Sequence, residues 1–289
     1  MYTVVEAAKT LRVDPSYIRY LIRSGKLKGV KWGRDWMIPA LDYQRKRRQR
    51  GLTGQANNED FHDENTASDG MDIFNLFSKE TPIFEGVDTR ELLILAQGSN
   101  RLNFVKNQTI VMKEDKANFF YIVEDGLVKI STISPSGREL IIDILNRGNA
   151  FGIGSLISDY MYPDEISAME NATIISIPKN LFKAFISRNS EVSAKMFANL
   201  ITQTIALLAK VTDMSTSTTN FRVIKVLIEL MNKYGNVLPF THKEIAQMSG
   251  TTNETATRIL VRLKKAGILR LQRGIIRITD AKRLLLQSA

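Results

Sequence analysis

Short hydrophobic runs and turn residues alternate through the middle of the chain, between about residues 74 and 185. Runs such as NFFYIVEDGLVKISTIS and ATIISIP are rich in β-branched and aromatic residues, and Gly, Asn, Asp and Pro separate them at near-regular intervals. This pattern is typical of an antiparallel β-sandwich or barrel. SPSGRE is predicted to be a turn between two strands, and DTRELLILAQGS a short helix before them.

A long helix is predicted directly after these strands, over roughly residues 190–214. Its apolar positions step by three and four residues, which is heptad spacing. The resulting seam consists of Phe197, Leu200, Thr204, Leu207, Val211 and Met214. Such a seam favours pairing with an identical helix and therefore predicts a homodimer. The alternative is a single amphipathic helix packed on its own barrel, because the seam is only about two and a half heptads long.

The C-terminal segment predicts a helix, a tight turn, a second helix and a hairpin. Thr241 and Glu244 have capping-box spacing, Gly250 permits the turn, and Thr252 can cap the second helix. The second helix is predicted to bury Ala256, Ile259, Leu260 and Leu263, which follow the i, i+3, i+4, i+7 pattern.

The opposite face of this second helix carries residue types that read DNA bases. Its members are Asn253, Glu254, Thr257, Arg258 and Arg262. Arg pairs with guanine, Asn with adenine, and Glu accepts a hydrogen bond from cytosine. RLQRGIIRIT is predicted to form a wing that turns at Arg273 and Gly274, with Arg side chains that reach phosphate. The alternative for each charge is a solvated helix face.

Residues 1–50 repeat this organisation. Val4, Ala7, Ala8 and Leu11 predict the inner face of a first helix, and Asp14 followed by Pro15 predicts the start of a second. The second helix is predicted to present Ser16, Tyr17, Arg19 and Arg23 outward. KLKGVKWGRDWMI predicts a hairpin that carries Lys31 and Arg34. The tail YQRKRRQRG either extends a helix along phosphates or is simply solvated.

The chain therefore divides into five predicted regions. They are a winged helix-turn-helix (1–50), a linker (51–73), a β-barrel (74–187), a dimerisation helix (188–216) and a second winged helix-turn-helix (217–289). The linker is expected to be flexible, because residues 51–70 are rich in Gly, Asn and acids and contain few large apolar side chains.

Positive charge is concentrated in the two end regions. The net charge of +10 divides into +9 for residues 1–50, −5 for 51–70, −3 for 71–217 and +9 for 218–289. Basic ends around an acidic middle indicate contacts with a polyanion such as double-stranded DNA at both ends. A solubilising basic surface is the alternative.

Composition excludes several other functions. The chain has no cysteine, so disulfides, thiolate chemistry and iron–sulfur clusters are ruled out, and its two histidines, His62 and His242, argue against haem and His-based metal sites. We expect a cytoplasmic protein without a membrane segment, because no 18-residue apolar run or signal peptide is evident. No nucleophile–base pair or phosphate-binding Gly loop indicates an enzyme.

The segment TTNETATRILVRLKKAGIL, behind the EDGLVKI, GREL and LNRGNAFG strands and the seam helix, resembles the Crp/Fnr family over about residues 74–289. The resemblance implies an α+β homodimeric transcription factor that contacts RNA polymerase. Its sensor would be a double-stranded β-helix, that is, a cyclic-nucleotide-binding-like jelly roll. By position, Glu254 and Arg258 match the base-reading residues of the family. Asn253 stands where a cyclic-AMP-responsive member has a further Arg, so the preferred DNA sequence is expected to differ.

Cyclic-nucleotide binders of this family hold the ribose with a Gly-Glu pair and the phosphate with an Arg-Ser pair. Here Gly154 matches the Gly, but Ser155 replaces the Glu, and Ile166 replaces the Arg before Ser167. A buried phosphate needs a cation, and no Lys or Arg occurs in residues 148–178. The sequence therefore predicts that cAMP and cGMP are not the signal.

The candidate effector pocket comprises Gly152, Ile153, Gly154, Ser155, Ser167 and Leu207. The related 2-oxoglutarate sensors also require an Arg, and haem sensing lacks a barrel histidine. An apolar or neutral ligand, a ligand held by distant groups, and no ligand at all remain open.

Residues 1 to about 40 resemble an excisionase/MerR-type winged helix-turn-helix. The prediction is a regulator with two DNA-binding modules per chain. The linker reach of roughly 25 Å is comparable to one turn of DNA, about 34 Å. Two alternatives remain for the N-terminal module: a protein-interaction element that recruits polymerase or another partner, and an architectural or recombination-directionality element.

Overall fold

The computed structural model describes residues 2–3, 6–7, 27–32, 35–39, 66–134, 137–157 and 159–287. Several predicted sites lie outside these residues, namely Ser16, Tyr17, Arg19, Arg23, Arg34 and the tail 43–51. Only the backbone of Lys31 is described.

The described part of the N-terminal unit is a three-stranded antiparallel sheet. Its strands are β1 (Tyr2–Thr3), β2 (Val30–Trp32) and β3 (Asp35–Ile38), in the order β1-β3-β2. Strands β2 and β3 confirm the predicted hairpin. Strand β1 was not predicted, because two residues are too few to show a period.

A capping box follows β1. The Glu6 backbone N–H donates to Thr3 Oγ1 at 3.2 Å, and the Thr3 N–H donates to Glu6 Oε2 at 2.8 Å. These reciprocal bonds begin a helical turn at residues 6 and 7, with Ala7 fully buried behind it. The burial of Ala7 agrees with the predicted inner face.

Helix α1 (Thr66–Glu80) corrects the end of the predicted linker. The predicted linker ends at residue 73, whereas the chain is already helical from Thr66. Ile73 and Phe77 are buried, and the rings of Phe77 and Phe84 meet edge to face at 5.1 Å. Packing against the barrel therefore stabilises a segment whose first half is compositionally similar to a linker.

The barrel is built from two four-stranded antiparallel sheets, and helix α2 (Thr89–Gln97), capped by Asp88, precedes it. Its strands are β4 (Asn100–Phe104), β5 (Thr109–Val111), β6 (Phe119–Asp125), β7 (Val128–Ile133), β8 (Glu139–Leu145), β9 (Ala150–Phe151), β10 (Glu165–Ala168) and β11 (Ala172–Pro178). The sheet orders are β5-β10-β7-β8 and β4-β11-β6-β9. This is the predicted jelly roll.

Strand β8 has two unusual features. Within the described residues it pairs only with β7, so its other edge faces no strand. Its register contains a bulge, because Ile130 pairs with Asp143 whereas Ser131 pairs with Ile141. Ile142 is the extra residue.

Helix α3 (Lys179–Arg188) leads into the long helix α4 (Ser190–Thr216), close to the predicted limits. Only Val192 and Met196 of α4 are buried, and all six predicted seam residues are exposed, with Phe197 at 66%. This exposure favours pairing of the seam with a second helix over packing on its own barrel. Among the described helices, α4 alone is long and apolar enough, by length and composition only, to cross a membrane. This differs from the prediction that the sequence has no such apolar run.

The C-terminal unit is a winged helix-turn-helix, as predicted. It consists of α5 (Thr219–Tyr234), β12 (Val237–Leu238), α6 (His242–Met248), α7 (Asn253–Lys265), β13 (Leu269–Gln272), β14 (Ile275–Ile278) and α8 (Ala281–Leu286). The strands form one sheet in the order β12-β14-β13, and Gly274 has φ +72° at the hairpin turn.

Candidate nucleic-acid interface and barrel cavity

Local capping fixes the helix-turn-helix geometry. The Glu244 N–H donates to Thr241 Oγ1 at 3.2 Å, and the Thr241 N–H donates to Glu244 Oε2 at 2.7 Å, which confirms the predicted capping box. Gly250 takes φ +62° in the turn, a conformation that favours Gly. Thr252 then accepts from the Thr255 N–H at 3.2 Å and begins α7.

Helix α7 has the two predicted faces. Ala256, Ile259, Leu260 and Leu263 are buried. Asn253, Glu254 and Arg258 are exposed near its N-terminus. This is the end of the helix that a helix-turn-helix protein inserts into the major groove.

Two residues predicted to read DNA also have partners within the protein. Thr257 is half-buried, and its Oγ1 lies 3.2 Å from His242 Nδ1. Arg262 donates to Asn220 Oδ1 at the start of α5. Both contacts link α7 to the rest of its unit, so these two side chains are less available to DNA than Arg258.

The wing has a basic face that the sequence prediction described only through Arg273. Arg273 is exposed at the turn, and Arg270 and Arg277 are directly paired across the two strands and also exposed. The alternation of LRLQ indicates this face in advance, because alternate residues of a strand point to the same side, and Arg277 in IIRI lies between two buried isoleucines. Three arginines can therefore approach phosphates together.

Burial also affects the only described histidine. His242 begins α6, and desolvation lowers its pKa below the ordinary value of 6.5. The neutral imidazole is therefore favoured next to Thr257.

A cavity of about 460 Å³ lies between the barrel, α4 and α5. Three of the candidate effector-pocket residues, Gly152, Ile153 and Leu207, line it. Gly154, Ser155 and Ser167 do not. Most of the remaining lining is apolar, with Phe120 and Phe151 among the larger side chains.

Aromatic packing explains why Gly154 is not in the cavity. A Cβ on Gly154 would lie 2.1 Å from Tyr160 Cδ1, so the Tyr160 ring occupies the space beside this glycine. Tyr121 stacks on Phe151 with ring centroids 4.8 Å apart. Ser155 is fully buried, and its Oγ has no hydrogen-bond partner within the described residues.

Three cations from α4 and α5 also line the cavity, and sequence analysis did not place them there. Lys210 Nζ donates to the carbonyl oxygens of Ile141 and Ile142 at 3.2 and 3.1 Å. Arg222 donates to the carbonyl oxygens of Ser217 and Ser249 at 2.8 and 3.1 Å, and Lys225 forms an ion pair with Asp213. Each cation is already engaged with a protein acceptor. No group of three or more metal-ligating side chains is found among the described residues.

A jelly-roll barrel joined by a long helix to a winged helix-turn-helix with an exposed Asn-Glu-Arg face defines a DNA-binding regulator. A cyclic nucleotide-binding domain model matches residues 101–189, a Crp-like helix-turn-helix domain model residues 221–286, and a helix-turn-helix domain model residues 1–42. The chain belongs to the Crp/Fnr family and carries an additional excisionase-like helix-turn-helix domain at its N-terminus.

Individual relatives agree with this assignment. The chain is 24% identical over 210 residues to the CRP-like cAMP-activated global transcriptional regulator of Mycobacterium tuberculosis, covering 70% of this chain and 94% of the relative. It is 24% identical over 204 residues to the Cyclic AMP receptor protein of Thermus thermophilus, with the same two coverages. A crp/fnr-family transcriptional regulator from Eubacterium rectale has a similar fold, with a TM-score of 0.60 at 20% identity, covering 73% of this chain and 99% of that one.

Proposed function

We propose that this regulator is a homodimer in which two copies of α7 read adjacent major grooves and the N-terminal unit provides a second DNA contact. The observation that carries the DNA-reading role is the exposed face of Asn253, Glu254 and Arg258 at the N-terminus of α7. These side chains combine the donors and acceptors that distinguish base pairs in the major groove.

The apolar surface of α4 supports the homodimer. Seven of its exposed large side chains are Phe197, Leu200, Ile201, Ile205, Leu207, Leu208 and Val211. A contiguous exposed patch of this size marks an interaction surface in a soluble protein. A second copy of α4 presents the same heptad seam and therefore covers it by self-complementary packing.

Three observations support DNA binding by the N-terminal unit. Residues 1–50 carry a net charge of +9, a helix-turn-helix model matches residues 1–42, and the wing hairpin β2–β3 is present. Two modules on one chain raise the effective concentration of the second after the first has bound. We therefore propose a bipartite operator, with a cytoplasmic location and RNA polymerase as a further partner.

The test is selection of a DNA duplex by the full-length protein from a random-sequence pool, followed by footprinting. We expect two half-sites about one helical turn apart, with flanking protection that disappears when residues 1–50 are deleted. A footprint unchanged by the deletion would show that the N-terminal unit is a protein-interaction module. Failure to enrich any sequence, even in dilute salt, would contradict the DNA-reading role itself.

The barrel is proposed not to sense cAMP. A cyclic phosphate needs a cation that is free to pair with it, and Lys210, Arg222 and Lys225 are each engaged with protein acceptors. We expect cAMP to leave the affinity for the selected duplex unchanged. An increase of tenfold or more would contradict this, and native mass spectrometry of the purified dimer tests whether another small molecule is retained.

A further inference from the structure

Strand β8 contacts all the larger parts of the Crp-like region. It belongs to the barrel through its pairing with β7. The side chains of Ile141 and Ile144 are buried in the same hydrophobic cluster as Leu227 and Phe240 of the C-terminal unit. The core of the DNA-binding unit is therefore continuous with the barrel at β8, and Leu127 and Met169 of the barrel belong to the same cluster.

Lys210 connects the long helix α4 to β8. Its Nζ donates to two consecutive carbonyl oxygens, those of Ile141 and Ile142. In a regular strand, successive carbonyl groups point to opposite edges, so one ammonium cannot reach both. The bulge at Ile142 breaks this alternation and leaves the extra residue unpaired, which explains how both carbonyls are available.

Lys233 makes the corresponding contact from the DNA-binding unit. Its Nζ donates to the Ile144 carbonyl oxygen at 2.5 Å, from the last turn of α5. Two ammonium groups, one from the dimerisation helix and one from the DNA-binding unit, thus bind the same short stretch of β8. In the described residues this edge has no strand partner that competes for those carbonyls.

The helix-turn-helix itself also lies on β8. Gln247 Nε2 of α6 donates to Glu139 Oε2 at 2.7 Å, and Lys129 forms an ion pair with the same carboxylate. At the turn before α7, a Cβ on Gly250 would lie 3.2 Å from Met214 Cε and 3.8 Å from Leu140 Cδ1. The orientation of α7 therefore depends on how β8 is held.

Burial makes these two lysine contacts difficult to exchange for water. Desolvation lowers the pKa of Lys210 and of Lys233, and the nearby carboxylate of Asp143 partly opposes this for both. Glu229 also opposes it for Lys210. A partly buried ammonium that loses its carbonyl partner is left unsatisfied, so the bonded arrangement is strongly preferred.

We propose that Lys210 and Lys233 are positioning residues that fasten the C-terminal unit to the edge of β8 and thereby fix the orientation of α7 for DNA. Asn253, Glu254 and Arg258 are exposed in the fastened arrangement, so we infer that it is the DNA-binding one. The part of this inference that concerns affinity rests on the proposed function. The part that concerns orientation does not.

The test uses the full-length chain with Lys210→Met and Lys233→Met, which keep most of each aliphatic stem and remove the ammonium. Lys195→Met is the matched control, because Lys195 also lies on α4 and donates to a backbone carbonyl, that of Glu85, but does not touch β8. The chain has no cysteine, so Cys introduced at the exposed positions Lys113 and Lys282 takes nitroxide labels selectively. Double electron–electron resonance on labelled chains diluted with unlabelled chains then reports the distance between barrel and DNA-binding unit.

We expect one narrow distance distribution in the parent and the Lys195→Met control, and a broad one in either β8 variant. Affinity for the selected duplex should fall roughly threefold to tenfold per variant, which is the size that one net hydrogen bond supplies. Lys210→Arg, which keeps a donor, should restore much of the narrow distance distribution and much of the affinity.

A distribution that stays narrow in Lys210→Met or Lys233→Met overturns the proposal. If a methionine variant does not fold, Lys210→Gln and Lys233→Gln replace it, because their shorter, uncharged side chains lose the ammonium contact with β8. A narrow, parent-like distribution in both then overturns the proposal. A broader distance distribution in the methionine variants, together with no DNA binding by the parent, would contradict the proposed function but not the positioning role.

Discussion

At the scale of single residues, the partner of a side chain decides its role more than its type does. Arg258 and Arg262 lie one turn apart on α7, and both match a DNA-reading pattern. Arg262 donates to Asn220, whereas Arg258 is exposed near the helix N-terminus and has no hydrogen-bond partner among the described residues. Arg258 is therefore the stronger candidate for base recognition. Arg222 fills a third role, because its bonds tie the start of α5 to the helix-turn-helix turn.

Arg258→Ala should reduce affinity for the selected duplex and relax the preference at one base position. The loss expected for a bidentate base contact is about 1–3 kcal/mol. Competition binding against a set of singly substituted duplexes measures both effects. Arg273→Ala is the matched comparison at the wing turn, and it should weaken all duplexes about equally. If the two variants have the same profile, Arg258 contacts phosphate rather than a base.

His242 should make the C-terminal unit less stable in acid. Burial lowers the pKa of His242 in the folded state, so the unfolded chain takes up a proton more readily. This contribution to stability is fully present above the ordinary pKa of 6.5 and is lost as the pH falls below it. The stability difference between the parent and His242→Gln, measured by urea unfolding from pH 5 to 8, should therefore rise with pH and level off near pH 7. His62→Gln controls for the other histidine, and a pH-independent difference would contradict the assignment.

At the scale of elements, both helix-turn-helix units begin with the same local device. The sequences TVVE at residues 3–6 and THKE at 241–244 each form a reciprocal capping box. The second was predicted from the spacing of Thr241 and Glu244, whereas the first was not predicted although Thr3 and Glu6 have the same spacing. Helix α4 was predicted to within two residues, since heptad spacing over so long a segment is a strong local pattern.

Val211→Glu should separate the dimer. Val211 lies in the C-terminal half of the exposed apolar seam, and pairing of two helices would bring its carboxylate substitutes into an apolar contact. Thr202→Glu is the matched control: at about 100° per residue it lies on the opposite side of α4 and is also exposed. Sedimentation should show a monomer only for Val211→Glu. Operator affinity should fall by at least about 100-fold in that variant, because two tethered modules lose their avidity. A dimeric Val211→Glu protein would place the interface elsewhere.

At the scale of the whole molecule, charge is distributed by region. The two ends each carry a net +9, and the region between the linker and the C-terminal unit carries −3. If both ends bind DNA as proposed, this distribution of charge directs both of them toward the polyanion. If both basic end regions contact phosphates, the affinity for DNA is expected to fall steeply with salt concentration.

Deletion of residues 1–50 should reduce the salt dependence of DNA binding. Each phosphate contact contributes about −0.9 to the slope of log K against log salt, so the loss of several contacts is readily measured. Fluorescence anisotropy of the selected duplex between low and moderate salt provides the slopes. Changing Arg45, Arg47 and Arg48 to Gln separates the basic tail from the folded unit. Equal slopes for the parent and the deletion would mean that the N-terminal unit makes no phosphate contacts.

The sequence alone determined the features that depend on neighbours along the chain. Examples are the capping box at Thr241, the two faces of α7, the turn at Gly274 and the heptad seam. Each depends on residues that repeat at short intervals along the chain, so the spacing is visible in the printed sequence. The first half of α1 escaped prediction because its composition is similar to that of a linker, and the buried residues that anchor the helix, Ile73, Leu76 and Phe77, lie in its second half.

Only the tertiary structure decided what surrounds the cavity and how the DNA-binding unit is held. Lys210 lies 69 residues from Ile141, Lys233 lies 89 from Ile144, and Gln247 lies 108 from Glu139. No periodicity connects residues so far apart. Their contacts exist because the bulge in β8, the length of α4 and the burial of shared apolar side chains bring three separately predictable elements to one strand edge.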